Sequence, residues 1–247
     1  VEHGGASAAL PRGLRHTWGH EARAGRPGPK ATLSVPDIAA SAIALADAEG
    51  AQALSLGRIA DRLGVTPNAL YRYVDSRDDL DVIVHDHALG APGDIAAGAD
   101  WVEAAAAWCR ALRDRYAHHP WLSDMRVRVP FAPHSLAWLE DLLDRLEPSG
   151  LGDRQALQAA ALLDGYVRTR AAMVRDLFRP DGSATDPETL VDLVGAERFT
   201  ARLPRVSSLI SSGLYREPGA RADEDFEFGL RSILSGLRQL TVDGTPG

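Results

Sequence analysis

The chain has 247 residues, 45% of them hydrophobic and 25% charged, a balance that supports one large or two modest folded domains rather than a disordered polypeptide. The single cysteine, Cys109, excludes an internal disulfide framework and any multi-cysteine metal centre. No run approaches the roughly 18 apolar residues of a membrane helix, and no signal-type apolar core opens the chain, so a cytoplasmic protein is expected.

The formal net charge of −7 argues against a non-specific binder of polyanions. The placement of the basic residues qualifies that. Of 27 basic residues only Lys30 is a lysine, so the positive charges are almost all planar guanidiniums suited to phosphate and guanine. A coding bias toward arginine accounts for the total but not for the placement. Residues 1–31 read as a flexible arm in which Arg12, Arg15, Arg23, Arg26 and Lys30 outweigh Glu2 and Glu21. Its end, with Pro27 and Pro29 around Gly28, is extended. Arg26 and Lys30 there suit a minor groove, the alternative being a solvated tail.

From Ser34 the pattern is helical. Ser34 with Asp37 makes a capping box, Pro36 sits in the first turn, and Ile38, Ala42, Leu45 and Ala46 repeat at helical spacing to Glu49-Gly50. Ser55 caps a second short helix carrying Ile59, Ala60 and Leu63, which ends at Gly64. Thr66 caps a third, with Pro67 at its first position, running through Leu70 and Val74. Ser76 caps a fourth that fades by Gly90. Trp101, Ala105, Trp108, Leu112 and Tyr116 then mark an amphipathic helix closed by His118-His119-Pro120, with another turn or two across Trp121–Met125. Helices follow at Leu136–Leu146, residues 153–178, 188–197, 203–211 and 223–240. No alternation long enough for a strand is present, so the class is all-α.

Residues 54–80 carry the functional signal. A short helix, a tight turn at Gly64 and a second short helix make a helix-turn-helix, whose second helix enters the major groove. Ile59, Leu63, Val65, Leu70 and Val74 form its small core, leaving Pro67, Asn68, Ala69, Tyr71, Arg72 and Tyr73 for the outer face. Arg72 suits guanine O6 and N7, Asn68 suits adenine N6 and N7, and Ala69 is small enough to meet a thymine methyl. Tyr71 and Tyr73 offer hydroxyls to phosphates, and Arg77 and the helix start at Ser55 attract them.

This stretch resembles the DNA-binding domain of the TetR family of bacterial repressors. The resemblance rests on Leu54-Ser55, Ile59-Ala60, Leu63-Gly64-Val65, Leu70-Tyr71-Arg72-Tyr73-Val74 and Arg77-Asp78-Asp79-Leu80. It implies a three-helix head at residues 32–80 and, over 81–247, a helical bundle that dimerises and binds a small molecule. It also implies that Pro67, Asn68, Ala69 and Arg72 read bases while Ser55, Tyr71, Tyr73 and Arg77 hold phosphates. Gly57 departs from the pattern, standing where some members carry a basic residue that reads DNA.

The second half is read less specifically. Phe226, Leu230, Ile233, Leu237 and Leu240 are spaced 4, 3, 4 and 3 apart, a stripe that suits a partner helix in a homodimer, the alternative being packing within one chain. Trp108, Leu112, Tyr116, Met125, Phe131, Trp138, Tyr166 and Met173 are the candidate lining of an effector cavity, and a well-filled core would use the same residues. His85 and His87 point about 200° apart on a helix, and neither a nucleophile elbow nor a phosphate loop is present. The expectation is a non-enzymatic regulator without metal or cofactor, a repressor released from a palindromic double-stranded DNA operator by a small molecule. A helical binding protein that has lost DNA reading is the alternative.

Overall fold

The computed structural model describes residues 11–19, 33–125, 131–177, 187–213 and 221–242. The chain divides into two compact units, residues 1–160 and 161–247. Among the described residues there are helices and no strands, and no helix is long and apolar enough to cross a membrane.

The first unit opens with α1 (Arg12–Thr17), where the sequence pattern predicts only flexible arm. Its Leu14 is 1% exposed, and the helix packs on α5 (Arg77–Leu89). The six residues of α1 are too few to be stable alone. Tertiary burial, invisible to local periodicity, forms it. Arg26 and Lys30 lie outside the described residues.

Next come α2 (Val35–Glu49), α3 (Leu56–Leu63) and α4 (Pro67–Leu70). Ser34 closes the predicted capping box with Asp37, and Ser55 and Ser76 accept from Arg58 N–H and Asp79 N–H. Thr66 precedes α4 without a side-chain cap bond. Gly64 takes the left-handed conformation, φ +66°, that reverses the chain between α3 and α4. Ile38, Leu45, Leu54, Ile59, Leu70, Val74 and Leu80 are at most 1% exposed and form the head's core. Leu63 and Val65, predicted members of that core, are only half-buried at its rim.

Behind the head, α6 (Trp101–His118) packs on α7 (Pro133–Leu146), and a 3-10 turn at Pro120–Asp124 leaves α6 toward α2 and α5. Asp86 of α5 is 1% exposed and caps α7 from outside the helix. Its Oδ1 accepts from His134 N–H at 2.9 Å and Ser135 N–H at 3.3 Å, while Ala132, the residue before α7, supplies no side-chain cap. The other oxygen, Oδ2, has no hydrogen bond, though His134 Nδ1 stands 3.1 Å away.

α8 (Asp153–Leu177) crosses the division between the units. In the second unit, α9 (Pro187–Val194), α10 (Ala196–Arg202) and α11 (Pro204–Ser211) pack on one another. The single helix predicted over 188–197 is broken at Gly195, φ +88°. α12 (Ala222–Val242) ends the fold. Tyr166 of α8 donates its hydroxyl to the Phe226 carbonyl at 2.8 Å. It passes over Gly229, where a Cβ would stand 2.3 Å from that hydroxyl oxygen.

Two stability outcomes follow from this geometry. Gly64→Ala meets no atom within 4 Å, so its cost is conformational alone, about 1–2 kcal/mol in denaturant unfolding. Burial pushes the Asp86 carboxyl above its ordinary 3.8, against the opposing pull of His134 and the two amides. A raised folded-state pKa contributes stability that is complete below the unfolded value and lost as pH rises through the folded value. Asp86→Asn keeps an amide acceptor and cannot ionise. Its stability relative to the native chain therefore improves as pH rises through that window. Asp86→Ala follows the same pH dependence but leaves the amides of His134 and Ser135 unpaired, and so lies about 1–3 kcal/mol below Asp86→Asn at every pH. Urea unfolding at a series of pH values distinguishes the two.

Candidate nucleic-acid interface

The reading surface is assembled around a short element. Only Pro67–Leu70 is α-helical, followed by a turn in which Tyr73 N–H and Val74 N–H both return to the Leu70 carbonyl. The predicted third helix through Val74 is therefore one helical turn plus a tight turn. Leu70 and Val74, both 0% exposed, pin it to the core. Pro67, Asn68, Tyr71 and Arg72 are left in solvent and Ala69 is half-buried. Among the described residues, the Asn68 amide and the Arg72 guanidinium have no hydrogen bond or ion pair, so both are open to a ligand of complementary pattern.

Other predicted contacts are engaged within the head. The Tyr73 hydroxyl donates to the Leu33 carbonyl, and its ring lies 5.8 Å from that of His16. Arg77 donates to the carbonyls of Leu54 and Ala51 and pairs with Asp81 at 2.7 Å. It ties the chain between α2 and α3 to the start of α5. Ser55 Oγ caps α3 by accepting from Arg58 N–H at 3.2 Å. Arg58 itself is turned toward Glu49 at 2.5 Å, and that hydrogen bond holds the Glu49 carboxyl below the usual range. At Gly57 a Cβ would meet open space.

Sequence reasoning missed the residues that fix this head from behind. Asp79, 3% exposed, accepts from Gly13 N–H at 2.7 Å and Asp75 N–H at 3.0 Å. Arg12 donates to the Tyr71 carbonyl at 2.7 Å and pairs with Asp75 at 3.2 Å. Asp47 of α2 accepts from His119 Nδ1 and Trp121 Nε1, both at 2.7 Å, joining the head to the 3-10 turn after α6. Apart from Asp75 and Asp79, four residues apart, these partners lie 59 to 74 residues from each other in sequence, and no local signal announces them.

In the first unit, aromatic members of the predicted effector lining pack on one another. Trp108 and Trp138 fill each other's space, their rings 5.5 Å apart and nearly perpendicular. Trp108 Nε1 donates to the Trp138 carbonyl and Trp138 Nε1 to the Gly90 carbonyl. Leu112 and Tyr116 are buried beside them in α6, as is Cys109. Phe131 is 59% and Met173 46% exposed, and Tyr166 is held on α12. A cavity of about 370 Å³ lies in the first unit among Ala51, Gln52, Arg77, Asp81, Asp124 and Met125, and Met125 is the member of the predicted lining that reaches it.

Part of the predicted dimer stripe is covered within the chain itself. Phe226, Leu230 and Leu237 are buried within one chain together with Leu234, so the covered face of α12 runs at spacings of 4, 4 and 3. Ile233 is half-buried, and Leu240 is 54% exposed. Among the described residues, the large apolar side chains exposed on α8 and α12 in the second unit are Leu162, Met173, Phe228 and Leu240.

Comparison with known proteins agrees with the helix-turn-helix reading. Residues 38–80 match the family model described as bacterial regulatory proteins, tetR family. Residues 95–241 match the one described as tetracyclin repressor-like, C-terminal domain. The HTH-type transcriptional repressor DrrR1 of Streptomyces coeruleorubidus is 31% identical over 247 aligned residues, 96% of this chain and 88% of that protein. An HTH-type transcriptional regulator of Saccharopolyspora erythraea is 30% identical over 210 residues, 84% of this chain and 86% of that protein. Among solved structures, ActR of Streptomyces coelicolor in complex with (S)-DNPA superposes with a TM-score of 0.66 at 27% identity, covering 84% of this chain and 98% of that one. With both halves matched and the reading surface built as described, the chain belongs to the TetR family of bacterial regulatory proteins.

Proposed function

We propose that the protein is a non-enzymatic, homodimeric transcriptional repressor of the cytoplasm, which holds a palindromic double-stranded DNA operator and is released from it by a small-molecule effector. The observation that carries this reading is the open pair Asn68 and Arg72, on a short helix and the turn that follows it, with Leu70 and Val74 of the same segment locked in the core. An Arg fork on guanine and an Asn amide on adenine are the commonest bidentate readers of the major groove. The relative DrrR1 is a repressor by name, and ActR has been solved with (S)-DNPA and with actinorhodin.

Two copies are needed because one head covers only half a palindrome. Paired heads reach successive major grooves about 34–36 Å apart. Leu162, Met173, Phe228 and Leu240 supply apolar surface for that pairing. An effector bound behind the head lowers DNA affinity only by as much as it prefers the released arrangement. Pro67, Ala69 and Tyr71 complete the reading surface, with Tyr71 toward the phosphates.

The test is fluorescence anisotropy on a duplex selected by the native protein from a randomised library. Arg72→Ala is expected to lose about 1–3 kcal/mol of affinity and to relax preference at one position of each half-site. Unchanged affinity for every duplex removes Arg72 from the interface and the reading with it.

A further inference from the structure

The segment Pro11–Gly19 is held at three places, and one of them is the backbone of Tyr71, behind the reading side chains. Arg12 bridges the Tyr71 carbonyl and the Asp75 carboxylate, at 2.7 and 3.2 Å. Gly13 donates its N–H to buried Asp79 at 2.7 Å. Trp18 donates Nε1 to the Phe131 carbonyl, just ahead of α7, at 2.8 Å. Between these anchors Leu14 is 1% exposed. The Tyr71 carbonyl lies between the helical turn that carries Asn68 and the tight turn that carries Arg72, so whatever holds it sets the angle of the reading side chains. A helix of four residues has little stiffness of its own and depends on such support.

Gly13 shows how closely the parts fit. A Cβ there would stand 2.6 Å from the Asp79 carbonyl oxygen and 2.7 Å from its Oδ1. The backbone of α1 thus lies directly on the start of α5, and no side chain larger than hydrogen permits it.

We propose that α1 is a clasp for the DNA head, with Arg12 and Gly13 as positioning residues that fix the recognition turn without touching DNA. This rests on the operator-binding function above. It differs from a basic arm, whose role would be to neutralise phosphates. A positioning group acts on the preference for the right sequence, whereas a group that binds phosphate acts on all sequences alike. The two also differ in salt dependence, because removing one phosphate-binding cation lowers the slope of log affinity on log salt by about 1.

The experiment uses the full chain and the library-selected duplex beside a scrambled one, titrated at several salt concentrations. Arg12→Ala and Gly13→Ala are each expected to reduce the preference for the selected duplex about tenfold, with scrambled-duplex affinity and salt slope unchanged. Gly13→Ala favours helix intrinsically, so its effect reports the clash with Asp79 rather than a weaker α1. Arg12→Lys keeps the charge and recovers part of the preference. Arg15→Ala, from an exposed position on the same helix, shows what removal of charge alone does. Full retention of preference in both Arg12→Ala and Gly13→Ala overturns the clasp while leaving the operator function standing. An equal fall on both duplexes with a shallower salt slope also overturns it, making Arg12 a phosphate ligand. If the native chain selects no duplex at all, the operator function itself is the reading that fails.

Discussion

Two buried carboxylates on one face of α5 hold the first unit together. Asp79 and Asp86 are seven residues apart, nearly two helical turns, and are 3% and 1% exposed. Asp79 takes amide protons from Gly13 and Asp75, and Asp86 takes those at the start of α7. A buried carboxylate is costly unless it is hydrogen-bonded, and the amides of helix starts are well suited to bond it because they lack partners within their own helix. Each aspartate therefore demands a neighbouring element in one orientation. The result is a connecting helix with the DNA head fixed at one end and the bundle fixed at the other.

A second join runs beside the first. Asp47, near the end of α2, receives both His119 and Trp121, so the 3-10 turn after α6 is tied to the head by side chains alone. On the proposed reading, an effector behind the head acts through joins such as these: the α5–α7 cap and the α2 carboxylate. Neither is a hinge by itself. A bound molecule alters DNA affinity through them only if the two arrangements of the joins accommodate it unequally. The cavity of about 370 Å³ is lined by the same two elements, Arg77 and Asp81 belonging to α5, and Asp124 and Met125 to the 3-10 turn or the residue after it.

The sequence discloses what is local. Ser34, Ser55 and Ser76 cap the helices they were expected to cap, because an N-cap needs only a side chain and the amide three residues on. Gly64 is legible for the same reason, as the left-handed reversal is a property of one residue. The outward set around Asn68 and Arg72 follows once those ends are placed. Long-range contacts are not disclosed. The arginines of the first 31 residues read as a solvated or DNA-seeking arm, yet Arg12 is folded onto Asp75 by partners 59 residues and more away. The α12 stripe has a sound period, but period alone does not say whether a neighbouring helix of the same chain covers it. Likewise Trp108 and Trp138 have the rings a cavity would use, and the structure packs them against each other.

The proposed function requires a helix-turn-helix that enters the major groove. Methylation protection of guanine N7 on the library-selected duplex reads that groove directly, because N7 is exposed nowhere else. Two protected clusters centred about one helical turn apart, present with the native chain and absent with Arg72→Ala, are the predicted result. A bound duplex with every guanine N7 still reactive would contradict it, placing recognition outside the groove that Asn68 and Arg72 are built to read.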